Sequence, residues 1–260
     1  MNQEILDEIT KQDYLKIQQN IETFLKNKVS EKKADGVIFG LSGGIDSITI
    51  AYLASNVFGK NSLALVMPDP TVSPSNETGD ALKVIGSLGI DYKLIDIGII
   101  HKRYSNYLEP DQLALGNLRA RIRSNIIYYY ANLKNYLVLG TSDKSEYLTG
   151  YFTKFGDGCA DLLPIVSLYK TQLREFAKAL GVPNQIITKK SSPHLWKDHI
   201  AEKELGYSYE EIDSILYCIM DKKLSIDEAV KRTEIERKTV ERIYQMYQNT
   251  QHKRILPERV

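Results

Sequence analysis

The feature that most constrains this chain is Gly40-Leu41-Ser42-Gly43-Gly44-Ile45-Asp46-Ser47. It lies between a short apolar run, Val37-Ile38-Phe39, and a helical pattern through Ile48, Tyr52 and Val57 that stops at Gly59. A buried strand passing through a tight turn into a helix is half of a β-α-β unit, and repeated units of that kind build a parallel sheet. Ligands bind such sheets at the carboxyl ends of strands, beside helix N-termini. Small residues at 42–44 let main-chain N–H groups surround an anion, and the dipole of the following helix adds attraction. Ser42 and Ser47 supply hydroxyl donors. Asp46 would repel a bare phosphate, yet it suits a magnesium ion bridging phosphates. The turn is not a Walker loop, because no Gly-Lys-Ser/Thr follows, and not the dinucleotide Gly-x-Gly-x-x-Gly. The competing reading is a glycine turn in which Asp46 merely caps a helix.

Further apolar runs at 63–67, 92–97 and 136–139 alternate with helical patterns over 76–89 and 117–134. A fifth strand is expected around 162–166, followed by a helix over 171–180 that Gly181 and Pro183 end. Residues before 33 read as amphipathic helices. After about 207 the alternation stops, and three helices are expected at 209–220, 225–232 and 237–247, the second capped by Ser225. The expected fold class is α/β: a Rossmann-like parallel sheet with helices on both faces and a helical C-terminal extension. Its parts are helices in 1–32, the α/β core in 33–185, a lid segment in 186–206 and a tail in 207–260.

Composition excludes several alternatives. The 34 basic and 33 acidic residues leave a formal charge of +1, which gives no global reason to expect a nucleic acid or an anionic membrane as partner. The apolar stretch 126–133 is broken by three tyrosines and an asparagine, so no membrane span is read. Met1-Asn2-Gln3-Glu4 lacks the basic-then-apolar start of a signal peptide, and a cytoplasmic location is expected. Cys159 and Cys218 are too few for a disulfide framework or a four-thiolate zinc site. Tyr128, Tyr129 and Tyr130 cannot share one helix face and read as core and interface filler.

Read alone, Ser-Gly-Gly-x-Asp-Ser resembles the pyrophosphate loop of the N-type ATP pyrophosphatases, which split ATP between the α and β phosphates. Other segments narrow the resemblance: Gly140-Thr141-Ser142-Asp143-Lys144-Ser145-Glu146, the run from Gly150 to Ile165, the run from Gly116 to Arg123, Met67-Pro68 with Ser73-Pro74, and His252-Lys253-Arg254. In that order and spacing they resemble the ammonia-dependent NAD synthetases. The resemblance implies an adenine-nucleotide α-hydrolase-like fold and a two-step ligase reaction. ATP adenylates the nicotinate carboxylate of deamido-NAD, and ammonia then displaces AMP. It further implies that Gly40, Leu41, Ser42, Gly43, Gly44, Ile45, Asp46 and Ser47 hold the ATP phosphates, with Thr141, Lys170 and Ser192 as further ATP contacts. Asp46 and Glu146 would bind Mg2+, and Asp46, Ser42 and Lys170 form the implied catalytic group. Arg121, Lys154, Asp161, His252 and Lys253 match deamido-NAD positions, although Arg119 and Arg123 flank Arg121 on the same helix.

The chain departs from the family pattern between Leu195-Trp196 and Glu204-Leu205-Gly206, where Lys197-Asp198-His199-Ile200-Ala201-Glu202 replaces a Gly-Gln-x-Asp-Glu run. Asp198, His199 and Glu202 suggest a metal site, against which stands a solvated lid. The rival functions are an ATP pyrophosphatase acting on a different carboxylate and a non-catalytic nucleotide-binding paralogue. A homodimer is expected from the family and from the wide apolar stripe of the 117–134 helix. Neither cysteine resembles a glutaminase nucleophile, so free ammonia is the expected nitrogen source, with a separate glutaminase as a further partner to test.

Overall fold

The computed structural model describes residues 2–255. Helices α1 (Gln3–Thr10) and α2 (Tyr14–Glu31) lead into β1 (Gly36–Gly40), α3 (Ile45–Phe58), β2 (Ser62–Val66), α4 (Ser75–Leu88), β3 (Asp91–Leu94), α5 (Gly98–Ser105), α6 (Gln112–Lys134) and β4 (Tyr136–Val138). Then come α7 (Lys144–Thr149), α8 (Lys170–Ala179), α9 (Asn184–Ile187), α10 (Ala201–Leu205), α11 (Tyr209–Leu216), α12 (Ile226–Thr233) and α13 (Arg237–Asn249).

The four strands pair in parallel in the order β3-β2-β1-β4. Side chains alternate across a strand, and this sorts the apolar residues of each strand onto two faces. Val37 and Phe39 of β1, with Ala64 and Val66 of β2, join the core built with α2, α3, α4 and α8. Ile38, Leu63, Leu65 and Val138 join the opposite core, built with α6. Strands buried on both sides read as continuous apolar runs, which is why 37–39 and 63–67 stand out in the sequence. The chain winds from β1 outward to β3, then returns through α6 to β4 on the far side of β1. The loops after β1 and β4 therefore diverge at a topological switch point, where open α/β sheets bind ligands.

A third apolar cluster joins the two ends of the chain: Ile5 and Ile9 of α1 pack with Ile212, Ile215, Val240 and Ile243 of α11 and α13. By contrast, Ile21, Leu25 and Val29 of α2 belong to the sheet core.

Three local expectations change. No fifth strand forms at 162–166; one bridge pairs Leu162 with Leu139, and Pro164, which has no N–H, sits where the backbone turns so that Leu168 N–H reaches Ile165 O. The third strand stops at Leu94 instead of 97, although Ile95 and Ile97 N–H still reach Val66 and Pro68 carbonyls. The helix expected over 209–220 is α-helical only to Leu216 and continues as a π-helical turn, Tyr217–Asp221.

One buried carboxylate ties the tail to the sheet. Asp213 Oδ2 accepts from Thr171 N–H and Thr171 Oγ1, both at 2.8 Å, and Oδ1 accepts from Ser145 Oγ. Ser145 Oγ in turn accepts from Lys170 N–H at 2.8 Å. Burial pushes the Asp213 carboxyl up to about 7, against the hydrogen bonds that favour its charged form. Removing it leaves buried donors unpaired, so Asp213→Ala is expected to cost on the order of 3 kcal/mol in urea unfolding. A loss below roughly 1 kcal/mol would show that these bonds do not hold α7, α8 and α11 together.

Candidate active site

The loop after β1 is shaped by close contacts. Leu41 N–H continues the sheet by donating to Leu65 O at 2.9 Å, and Gly43 then adopts a left-handed conformation (φ 93°). A Cβ at Gly43 would lie 2.3 Å from Glu77 O, so only glycine fits between the loop and α4. Ser47 Oγ accepts from Ser42 N–H at 3.1 Å, donates to Gly44 O at 3.0 Å and lies 3.1 Å from Ser42 Oγ. No side chain caps α3, which leaves its first-turn N–H groups for an anion. Lys189 braces the loop from outside, its Nζ 2.7 Å from Asp80, 3.1 Å from Glu77 and 3.3 Å from Gly43 O.

This loop floors a cavity of about 230 Å³ at the carboxyl ends of β1, β2 and β4. Gly40, Leu41, Ser42, Asp46, Ser47, Thr141, Glu146 and Ser192 all line it. Gly43, Gly44 and Ile45 do not; Ile45 is buried in the sheet core.

Lys170 is placed unlike a helix-start lysine. Its side chain is 0% exposed, and Nζ lies 2.5 Å from Asp46 Oδ1, 2.8 Å from Asp143 Oδ2 and 3.0 Å from Glu146 Oε1. The ring of Tyr209 adds a cation–π contact at 5.2 Å. Lys170 thus stands behind the carboxylates instead of lining the cavity. Burial works to lower the ammonium's pKa, but Asp143, Asp46 and Glu146 outweigh it and hold it well above the usual lysine range. Burial raises Asp143 and Glu146, with Lys170 opposing. Three carboxylates face one ammonium, so full ionisation would leave an excess of negative charge, which burial resists by raising Asp143 and Glu146.

Suitable oxygens of Asp46, Asp143 and Glu146 lie within 4.8 Å of one another. Asp46 and Glu146 line the cavity and their side chains are 20% exposed, whereas Asp143 is fully buried and its Oδ2 pairs with the Lys170 ammonium. Sequence reasoning gave Asp143 no role. Its other oxygen accepts from Glu146 N–H at 2.8 Å and caps α7, so the capping pattern masks the charge cluster.

The arginines of α6 divide by face. Arg123 lines the cavity, donates from Nε to Met67 O at 3.0 Å, and burial pulls its guanidinium down to about 10. Arg119, one helical turn earlier, pairs with buried Asp69 at 2.7 Å. Arg121 is exposed and donates to Lys154 O at 3.3 Å. The i, i+4 spacing of 119 and 123 was the available signal for separating them.

Arg121, Lys154, His252 and Lys253 form a rim outside the cavity. Lys154 Nζ donates to His252 O at 2.6 Å, and Lys253 Nζ donates to Gly150 O and Phe152 O at 2.7 and 2.8 Å. Asp161 lies elsewhere, accepting from Val138 N–H at 2.8 Å. Asp157 and Tyr151, both without a role in the sequence reading, also line the cavity; burial raises the Asp157 carboxyl while Thr153 N–H favours its charged form.

The lid segment is not a solvated loop. His199 is 4% exposed and bonds to Glu204, not to Asp198 or Glu202, so no metal set forms there.

A glycine-rich loop at the switch point of a parallel sheet, facing a buried acidic cluster, gives an α/β protein with a ligand cavity at its strand ends. Comparison with known proteins makes the class specific. The NAD synthase family model matches residues 17–257, and the chain belongs to that family. An NH3-dependent NAD+ synthetase from Hyperthermus butylicus is 48% identical over 255 residues, covering 97% of this chain and 92% of that protein. Among solved structures, an NMN synthetase from Francisella tularensis aligns with a TM-score of 0.85 at 33% identity, over 96% of this chain and 99% of that one. An NH3-dependent NAD synthetase from Campylobacter jejuni, in complex with the nitrate ion, aligns at 0.82, also 33% identical, over 96% and 100%.

The cluster predicts a pH-dependent effect of removing its cation. A carboxyl whose folded pKa is raised stabilises the fold fully below its unfolded pKa, and that contribution is lost as pH rises through the folded value. Lys170→Met pushes Asp143 and Glu146 further up. Its stability deficit against wild type, read from urea midpoints, should therefore be larger at about pH 8 than at about pH 5. Equal deficits at both would contradict the assigned electrostatics.

Proposed function

We propose that this chain makes NAD from deamido-NAD, ATP and ammonia by adenylating the nicotinate carboxylate and letting ammonia displace AMP. The observation that carries this reading is the meeting of Asp46 and Glu146 beside the phosphate loop, at one wall of a single cavity, in a member of the NAD synthase family. A carboxylate is a poor acyl acceptor for ammonia. In the first step its oxygen attacks the α-phosphorus and pyrophosphate leaves. In the second, ammonia attacks the carbonyl carbon, AMP leaves, and one proton is lost.

The donor set fits magnesium: the ligands are hard carboxylate oxygens, and the cluster's negative excess suits a divalent ion. Asp46 and Glu146 would hold it, and when bound it neutralises charge on the departing pyrophosphate. Ser42, Ser47 and the N–H groups opening α3 bind the phosphates. Thr141 and Ser192, which both line the cavity, contact the nucleotide, and Arg123 adds a fixed cation. Lys170 acts through the carboxylates, keeping them charged and oriented. Arg121, Lys154, His252 and Lys253 serve deamido-NAD, whose length carries it from the cavity onto the rim, whereas Asp161, bonded to Val138 N–H, stands apart from that rim.

In this reading the chain takes ammonia directly and works as a homodimer. No described helix is long and apolar enough to cross a membrane, and a cytoplasmic location belongs to the proposal. Support for the dimer comes from apolar side chains of α6 left in solvent, Leu113, Tyr129 and Leu133, at 56%, 64% and 65% exposure.

The purified chain should convert deamido-NAD to NAD with ammonium, ATP and magnesium, forming AMP and pyrophosphate. The mononucleotide counterpart of the acceptor is the control, given the similarity to an NMN synthetase. Asp46→Ala should lower kcat by about 100-fold or more with an unchanged circular dichroism spectrum. AMP release at near wild-type rate would refute its role. Light scattering should give the mass of two chains, and Tyr129→Asp with Leu133→Asp should shift it toward one. A wild-type monomer at full activity would refute the dimer.

A further inference from the structure

Residues 191–201 form a loop tied at its own base. Ala201 N–H donates to Ser191 O at 3.0 Å, and Ser192 Oγ donates to His199 O. Its tip supplies Pro193, His194 and Leu195 to the cavity wall. His194 and Asp198 both hold left-handed backbone (φ 47° and 56°), which turns the chain sharply on either side of Leu195 and Trp196.

Two attachments hold the loop down. At one, Leu195 O accepts from Arg119 Nη1 at 3.0 Å, and Trp196 settles over Gly116, where a Cβ would come within 3.3 Å of the indole. At the other, His199 stacks on Trp196, centroids 3.5 Å apart and planes 12° apart. Its Nε2 lies 2.6 Å from Glu204 Oε2 and 3.0 Å from Tyr151 OH, and the tyrosine also donates to Glu204 Oε2 at 2.6 Å. Burial holds the imidazole below the usual histidine range, with Glu204 opposing. The neutral ring must carry its proton on Nε2, because a lone pair there would face the carboxylate at 2.6 Å. The other nitrogen, Nδ1, is buried without a partner, a cost that nothing in packing alone requires.

Tyr151 is the link to chemistry, since it also lines the cavity. We propose that His199 is a positioning residue: by tying the 191–201 loop to Tyr151 and Glu204, it sets how completely water is kept from the acyl-adenylate while ammonia arrives. This rests on the amidation reading above. The intermediate has two fates, and the same acyl–phosphate bond breaks in both. Ammonia gives the amide, AMP and one proton, whereas water returns the carboxylate, AMP and two protons. A loosened loop therefore consumes ATP without making product. Pro193, His194 and Leu195 form part of the cavity wall, so the loop's attachment bears directly on what solvent the cavity admits. That attachment has to be strong enough to exclude water.

The test measures AMP and NAD separately, with magnesium, ATP and deamido-NAD saturating and ammonium varied. Wild type should give an AMP-to-NAD ratio near one. His199→Phe keeps volume and the stack on Trp196 but loses the hydrogen bond to Glu204; its ratio should rise several-fold at low ammonium and fall back as ammonium increases. His199→Gln, which can still donate to Glu204, should restore much of the coupling. A merely structural role would lower AMP and NAD together, and a ratio that stays near one in His199→Phe overturns the proposal. Wild-type chain that forms no AMP from ATP and deamido-NAD overturns the amidation reading instead, so the two failures are distinguishable.

Discussion

A single buried ammonium among three carboxylates is the interaction on which the active site depends. Lys170 Nζ touches Asp46, Asp143 and Glu146, which arrive from the start of α3, the cap of α7 and the first turn of α7. Burying charge is costly unless it is paired, and breaking such a cluster leaves an uncompensated charge in low dielectric. The cluster is nonetheless deliberately unbalanced. One cation faces three acids, and two of them, Asp46 and Glu146, line the cavity beside the glycine-rich loop. In the proposed reaction such a site would hold its acids ready for a divalent ion carried in with a polyphosphate.

The surrounding architecture exists to keep that arrangement fixed. Asp213, from the helical tail, bonds to Ser145 and Thr171, the residues beside the N-termini of α7 and α8, and so sets the position from which Lys170 projects. The tail is in this sense part of the catalytic scaffold. Its apolar cluster with α1 closes around the same region. On the other wall, Asp69 and Arg119 hold the loop after β2 and the lid carbonyl together, so that α6 carries one arginine for structure and one, Arg123, for the cavity.

Much of this was legible before any coordinates. The runs at 37–39 and 63–67 announce doubly covered strands, and the glycine turn at 40–47 marks the strand-to-helix corner that lines the cavity. What stayed hidden has physical causes. The strand expected at 162–166 fails because Pro164 and a turn interrupt the ladder after one bridge. Asp143 drew no role from the sequence; it caps α7, and the task of its second carboxylate oxygen is visible only when residue 170 is brought beside it from 27 positions away. The resemblance implies Lys170 as an ATP contact, but its burial behind the carboxylates stayed hidden because periodicity carries no information about burial of a charged side chain. His199 lies in the stretch that departs from the family pattern, and its pairing with Glu204 across a loop of unknown shape has no periodic signature.

The central claim is that this site activates a carboxylate by transferring adenylate to it. The most direct measurement follows oxygen. Deamido-NAD carrying heavy oxygen at both carboxylate positions is turned over once with ATP and ammonium, and the products are weighed by mass spectrometry. The account predicts one heavy atom in the phosphate of AMP and one in the amide of NAD. Unlabelled AMP, with the heavy atom in pyrophosphate or in water, would contradict it.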